Sequence, residues 1–126
     1  MTSHYMECTV RSPFTDVFRV LNGSFGNVYA RKFGKKGEVR IGVILGEEFF
    51  FRVNSDVTIL ITVEEHSLKE TKLQVISCAG GAGPGLFGDV SYSAHSAYVQ
   101  KVKDALLERG FRIEKEKSRT SAEAYG

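Results

Sequence analysis

The segment Gly83-Pro84-Gly85-Leu86-Phe87-Gly88 is the part of this chain closest to a known ligand-binding pattern. It matches GxGxxG, in which glycine-rich backbone approaches a phosphate and directs its N–H groups at the anion. Dinucleotide-binding domains place that motif at the start of a helix inside a parallel βαβ unit. Here the predicted helix begins several residues later, and Pro84 removes one backbone donor. The sequence therefore favours a structural link from strand to helix, with ligand contact and phosphate binding as alternatives.

Two titratable side chains follow this glycine-rich loop. Asp89 can act as an acid or base or orient a ligand, although an aspartate in this setting more often caps a helix or loop N–H. His95 falls in the first predicted turn of the following helix, where the helix dipole disfavours the imidazolium and leaves a neutral base. An enzyme built on these groups and Cys78 is one hypothesis, and it requires the three side chains to converge.

The residues expected to contact a ligand surround the same loop. They are Gly81, Gly83, Gly85, Phe87, Asp89, Tyr92, His95 and Tyr98. No catalytic set is predicted, because a reactive thiol at Cys78 needs a paired histidine or a cationic setting. Glu47 and Glu48 are adjacent on a predicted strand, where neighbouring side chains point to opposite faces and do not cooperate as an acid–base pair.

Metal and cofactor chemistry finds no clear support in the chain. His4, His66 and His95 have no His, Cys or Asp partner at a zinc-ligand spacing on one element. Cys8 and Cys78 lie far apart in strand-like runs, which predicts buried thiols and not a redox pair. The sequence thus predicts no metal site and no cofactor.

The composition is that of an ordinary globular protein. With 126 residues, 42% hydrophobic and 25% charged, the chain fits one domain with its own core. The formal net charge of +2, from 17 basic and 15 acidic residues, does not indicate a polyanionic partner. No apolar run reaches the ~18 residues of a membrane span, and the N-terminus lacks a signal-peptide pattern. We expect a cytoplasmic protein with no membrane partner.

A basic face on the predicted sheet is a third functional hypothesis. Arg31, Arg40 and Arg52 are expected to share one face with Tyr29 and Phe50, as in sheets that stack nucleic-acid bases on aromatic rings. Interspersed acidic residues and the small net charge favour an ordinary solvated face instead. Nucleic-acid binding is therefore disfavoured.

The first elements are a strand and a short helix. Residues Tyr5–Val10 predict a strand, and Ser12-Pro13 predicts a helix start, with serine as the cap and proline in the first turn. The helix should bury an apolar stripe with i, i+3, i+4, i+7 spacing. That stripe is Phe14, Val17, Phe18 and Leu21. Asn22-Gly23 is expected to end the helix.

The centre of the chain predicts a run of strands joined by short turns. The strands are Asn27–Phe33, Val39–Leu45, Phe49–Val53, Val57–Val63 and Lys72–Cys78. Turns are expected at Gly34–Gly37, at Gly46-Glu47 and at Asn54–Asp56, with a polar connection over Glu64–Glu70.

A second amphipathic helix is predicted over Ser93–Arg109, with Gly110 as its C-terminal cap. Phe111–Ile113 is expected to add at most a short extended piece. The domain is predicted to occupy residues 1–113, followed by a polar, mobile tail from Glu114.

This order predicts an α+β fold. Short turns between consecutive strands require an antiparallel sheet, here of five to seven strands in the order β-α-β5-α with an optional final strand. Both helices must then cover the same apolar face of the sheet. The arrangement is similar to helix-grip folds such as the TATA-binding-protein-like and small START-like domains.

One stretch of sequence carries a further resemblance. Its parts are Arg52–Thr58, Ser77–Gly83, Leu86–Asp89 and Tyr98-Val99. Across roughly residues 50–108 the chain resembles an uncharacterised family of small bacterial and archaeal domains with a Gly-Gly-rich strand-to-helix loop. The family pattern has an aromatic residue after the acidic one, whereas this chain has Val90, with Tyr92 nearby. The resemblance implies a fold and no activity.

The leading functional prediction is a binding or interaction domain without catalysis. The sheet and second helix are expected to hold a small apolar ligand, with the glycine-rich loop at the mouth of the site. The predicted lining is Phe14, Phe18, Val43, Val57, Ile59, Tyr98 and Val102.

The run Phe49-Phe50-Phe51 predicts a second contact surface. On a strand, Phe49 and Phe51 share one face and Phe50 takes the other. An outward Phe50, with Ile44 and Leu60, predicts an apolar patch on the second sheet face. We therefore expect a homo-oligomer through that face or through a sheet edge.

Overall fold

The computed structural model describes the backbone of residues 2–35, 37–50, 55–79 and 88–121, and the side chains of 3–35, 37–50, 56–78 and 96–119. These residues form six strands and two helices. In chain order they are β1 (Thr2–Val10), α1 (Phe14–Phe25), β2 (Tyr29–Phe33), β3 (Ile41–Phe50), β4 (Ser55–Ser67), β5 (Glu70–Ala79), α2 (Gly88–Glu108) and β6 (Ile113–Ser121).

The strands form one antiparallel sheet in the order β2-β3-β4-β5-β1-β6. Both helices pack on the same face, α1 mainly against β3 and β4 and α2 mainly against β1 and β5. The predicted α+β class and strand number are confirmed. One apolar core lies between the helices and the sheet, and its largest fully buried side chains include Phe14, Met6, Leu21, Ile44 and Ile59.

Helix α1 buries the predicted stripe but differs from the prediction at both ends. Pro13 is the N-cap residue, and no side chain caps the helix. The helix continues through Gly23 to Phe25, whose ring is 8% exposed, and the Gly26 N–H then donates to the Asn22 carbonyl at 3.0 Å. Burial of one more aromatic ring outweighs the modest cost of glycine inside a helix.

Strand β3 departs most clearly from the sequence prediction. It runs through Gly46 without the predicted turn, and it buries Ile44 against the helices while Val43 lies on the opposite face. Glycine decides this orientation, because helix α1 approaches β3 too closely for a side chain. A Cβ at Gly42 would overlap the Phe18 ring, and one at Gly46 would overlap the Phe25 carbonyl oxygen.

Two polar stretches are strands and not loops or tail. Strand β4 extends to Ser67 and β5 begins at Glu70, so the predicted polar connection is only a tight turn. The predicted mobile tail from Glu114 is wrong over residues 114–121, because they belong to β6 (Ile113–Ser121), which pairs with β1. Its charged side chains suit an edge strand, where one side of the backbone is unpaired.

Helix α2 is confirmed, although its backbone is helical from Gly88 and not only from Ser93. Its C-terminus has the two hydrogen bonds of a Schellman motif. The Phe111 N–H donates to the Leu106 carbonyl and the Gly110 N–H to the Leu107 carbonyl, each at 3.0 Å. Gly110 has φ +83°, so the predicted glycine cap is also confirmed.

Candidate functional site

Among the residues of the predicted glycine-loop site, the structure describes the side chain of one. Gly81, Gly83, Gly85 and Phe87 lie outside the described residues. Asp89, Tyr92 and His95 belong to the backbone of α2, and their side chains are outside the described set. Whether they converge with Cys78 stays a prediction, and the remaining candidate is Tyr98.

Tyr98 is a core residue of α2. It is 3% exposed, and its ring centroid lies 6.1 Å from that of Phe25 and 5.6 Å from that of Phe50. Burial raises the pKa of the Tyr98 phenol to about 12, with a further contribution from the charges of Glu48 and Glu47. The phenol therefore keeps its proton at neutral pH and is not a candidate base.

Tyr98 borders a surface cleft of about 330 Å³ between the end of α1, β3 and α2. The cleft is closed on one side by an ion pair, in which Lys101 Nζ lies 2.7 Å from Glu48 Oε1 and 2.8 Å from Oε2. The same ammonium sits 5.4 Å from the centroid of the Phe50 ring. These contacts link α2 to β3 across the cleft, and they give Lys101 and Glu48 a structural role there.

Phe50 is thus wrongly predicted as an outward residue. It packs against the core through Tyr98, whereas Phe49 is 45% exposed on the opposite face. Ile44 is fully buried, so of the three residues predicted for the apolar patch only Leu60 lies on the second face.

The predicted ligand lining is also changed by the orientation of β3. Val43 lies on the face away from the helices and cannot line a space between sheet and helix. The other predicted members are packed core side chains, and the Phe14 and Phe18 rings stack with centroids 6.0 Å apart.

The cysteines and their neighbours do not form a reactive thiol site within the described residues. Cys8 is buried, and burial raises its pKa to about 12, with the Glu116 charge adding to the effect. Ser77, and not Cys78, faces the core, and its Oγ has no hydrogen-bond partner among the described residues. Cys78 is half-buried on the opposite face, and burial raises its pKa as well. Raised thiol pKa values oppose nucleophilic chemistry.

Histidines in the described residues do not form a metal site. His4 is the cross-strand neighbour of Ser77, and burial lowers its pKa, as does the charge of Lys103. No group of three or more His, Cys, Asp or Glu side chains within the described ranges could hold a metal ion. No helix in the same part of the chain is long and apolar enough to cross a membrane.

The predicted basic face does not form as expected. Arg40 lies on the helix side, where Nη2 is 2.7 Å from Glu65 Oε2, Nη1 donates to Thr15 Oγ1 at 3.1 Å, and the guanidinium sits over the Phe14 ring. Hydrogen bonding to Arg40 also lowers the pKa of Glu65. Arg52 is outside the described residues, so of the predicted set only Arg31 and Tyr29 are seen together on the second face.

The second face of the sheet, called the open face below, carries no helix in the part of the chain that the structure describes. Its main feature is an apolar row that crosses five strands in register, from β2 through β3, β4 and β5 to β1. The row is Tyr29, Leu45, Leu60, Ile76 and Tyr5.

The apolar row continues into a broader patch at the β2–β3 end. Val43, Ile41 and Phe33 flank the row there, and Phe33 is 43% exposed with the Arg31 guanidinium 4.7 Å from its ring centroid. Tyr29 is 46% and Ile41 39% exposed. A contiguous exposed apolar surface of this kind is typical of a contact site.

Charges around the apolar row are mixed in sign. Glu64 and Lys72 are cross-strand neighbours on the open face, and so are Glu7 and Lys117. Such alternation suits contact with another mixed surface better than contact with a polyanion.

Sequence reasoning missed this row because its members come from five separate strands. Leu60 lies between Ile59 and Ile61, and Ile76 directly follows Val75, so alternation does not separate the two faces at these positions. Only the cross-strand register brings them into line.

Comparison with family models, curated proteins and solved structures finds no match to this chain. The open face is therefore the feature of this chain that points most directly to a function.

Proposed function

We propose that this chain is an interaction domain that forms a homodimer through the open face of its sheet. The observation that carries the proposal is the apolar row, which crosses five strands on the face opposite both helices. Removing those side chains from water on association is favourable in proportion to the apolar area buried.

The size of the open face suits a dimer. Six strands spaced about 4.8 Å apart and strands of about ten residues rising about 3.3 Å each give a face on the order of 900 Å². A standard specific interface buries about 800 Å² on each partner. Two copies packed through this face would form a sheet-on-sheet sandwich, a common way of covering an apolar sheet face.

The charges and edges of the sheet favour a second copy at the face and not at an edge. Both signs of charge flank the apolar row, so a self-complementary arrangement is available without a charged partner. The two edge strands are protected against pairing: β2 has only five residues and carries Arg31 and Lys32, and β6 alternates glutamate with lysine.

Replacing Leu60 by glutamate tests the proposal. Leu60 is the middle residue of the row, between Leu45 and Ile76, so Leu60→Glu would bury a carboxylate at the centre of the interface. We expect the wild-type chain to sediment as a dimer and the variant to have a dissociation constant at least about ten-fold weaker. Sedimentation over a range of concentrations measures both.

The matched control is Leu68→Glu. Leu68 is 84% exposed in the turn between β4 and β5, away from the row, and its substitution should leave the dimer intact. Circular dichroism verifies that all three proteins are folded. A wild-type chain that stays monomeric at every concentration, or a Leu60→Glu variant that dimerises normally, contradicts the proposal.

A further inference from the structure

A depression of about 350 Å³ lies at the other end of the open face, beyond the apolar row. Strands β1, β5 and β6 and the end of β4 form it. Its basic lining groups are Lys72, Lys115, Lys117 and His66, which together are called the lysine pocket below. Glu7 and Glu70 also line it.

Two irregularities in the sheet shape this pocket. The β1–β6 pairing shifts register between Glu7 and Thr9, and the β4–β5 pairing shifts between Glu65 and Ser67. Each bulge carries one of the basic residues, Lys115 in the first and His66 in the second. Bulges commonly redirect a side chain beside a functional site.

Lys115 has φ +53°, a left-handed conformation that glycine or asparagine adopts more readily. Among the residues that the structure describes, Lys115 is the one residue other than glycine that has a positive φ. A lysine at such a position places an ammonium group at the pocket at a cost in backbone strain, which is the pattern expected of a functional residue.

Among the described residues, the three lysine ammonium groups form no ion pair, while the pocket carboxylates have other partners. Glu70 Oε1 lies 2.5 Å from Arg11 Nη1, and Glu7 Oε2 accepts a hydrogen bond from the Tyr5 hydroxyl at 2.9 Å. Within the described residues, none of the three lysines is within 4.0 Å of a carboxylate oxygen. The positive charge of the pocket is therefore not cancelled by direct ion pairs.

We propose that the lysine pocket binds a phosphate group. Three ammonium groups and an imidazole around one depression offer several charge-assisted hydrogen bonds to the oxygens of a small dianion. The pocket is formed within one chain, and it lies on the open face that the proposed dimer would cover, so phosphate binding is a property of the monomer and competes with dimer formation. Inorganic phosphate or pyrophosphate and the phosphates of a nucleotide present the same chemistry.

Titration of the ¹⁵N-labelled protein, followed by NMR, tests this inference. The probes are inorganic phosphate, inorganic pyrophosphate and ADP, each compared with sodium chloride at matched ionic strength. We expect saturable shifts in the amides of residues 7–9, 66, 70–72 and 114–117. Tighter binding of ADP than of pyrophosphate would identify a nucleotide ligand, and equal binding would identify the phosphate group alone.

Lys72→Gln and Lys117→Gln should each weaken pyrophosphate binding about ten-fold, the value of one lost charge-assisted contact. Lys69→Gln, in the exposed turn after Leu68, is the matched control and should bind normally. Lys115→Gly is the most informative variant, because relief of backbone strain should raise its midpoint of unfolding while binding weakens.

Three results would overturn the inference. They are shifts that chloride reproduces, shifts scattered over the surface, and normal pyrophosphate binding by the Lys72→Gln and Lys117→Gln variants. The Leu60→Glu variant, whose open face stays uncovered, should bind pyrophosphate at least as tightly as the wild type does, so a failure of phosphate binding in this variant is distinct from a failure of the dimer.

Discussion

Gly46→Ala is expected to destabilise the fold by about 3 kcal/mol, the upper part of the range for overpacking a core. A Cβ at this position would overlap the carbonyl oxygen of Phe25, which belongs to the backbone and cannot turn aside like a side chain. Either the end of α1 moves away from β3 or the strand bends. Both responses loosen the packing of Phe25 against Tyr98.

Two alanine variants complete this experiment. Gly42→Ala would meet the Phe18 ring, which is 6% exposed and held against Phe14, so we expect a loss of about 2 kcal/mol. Gly23→Ala lies inside α1 with no atom within 4 Å of the added carbon, and it should stabilise the protein by about 0.5–1 kcal/mol.

Urea unfolding followed by circular dichroism measures all three free energies of unfolding. The order Gly23→Ala, wild type, Gly42→Ala, Gly46→Ala, from most to least stable, is the expected result. Equal stability of Gly46→Ala and the wild type would show that α1 does not approach β3 as closely as described.

These glycines also explain where sequence reasoning succeeds and fails. The stripe of α1 and the Gly110 cap follow from local patterns, and both are confirmed. The orientation of β3 does not follow from a local pattern. Apolar residues stand at every second position of this segment, as on a strand that buries them, and they are Val39, Ile41, Val43 and Leu45. Helix α1 instead packs on the face of Gly42 and Gly46, and the periodicity of the strand does not predict that close approach.

The sequence prediction of a tail in place of strand β6 is wrong for a related reason. Its residues Glu114–Lys117 are polar and have weak strand propensity, so the sequence predicts a tail. Pairing with β1 supplies the backbone hydrogen bonds, and an edge position tolerates the charges. The apolar row and the lysine pocket likewise depend on cross-strand register and on two bulges. Pairing between strands that are distant in sequence creates both surfaces, and this pairing cannot be predicted from local sequence patterns.

Alkaline pH should destabilise this protein through the ionisation of two buried acidic groups. The pKa of the Cys8 thiol is raised from 9.0 to about 12, and that of the Tyr98 phenol from 10.0 to about 12, chiefly by burial. Between these values the unfolded chain releases protons that the folded chain retains. The contribution of each group is therefore complete below its unfolded pKa and is lost as the pH rises toward about 12.

The expected loss is a substantial fraction of a typical domain stability of about 5–15 kcal/mol. At about pH 10.5, Cys8 accounts for about 2 kcal/mol and Tyr98 for about 1 kcal/mol, relative to neutral pH. Cys8→Ala removes the first of these. It should be less stable than the wild type at neutral pH because of the lost packing, yet lose about 2 kcal/mol less between neutral pH and about pH 10.5.

Urea unfolding under reducing conditions at the two pH values measures this difference, with Cys78→Ala as the matched control. Cys78 is half-buried on the open face, so its removal should flatten the pH dependence less than removal of Cys8 does. If Cys8→Ala and the wild type lose the same stability between the two pH values, the thiol ionises in the folded protein. Cys8 would then be accessible to water, and the packing of β1 under α2 would be looser than its 4% exposure indicates.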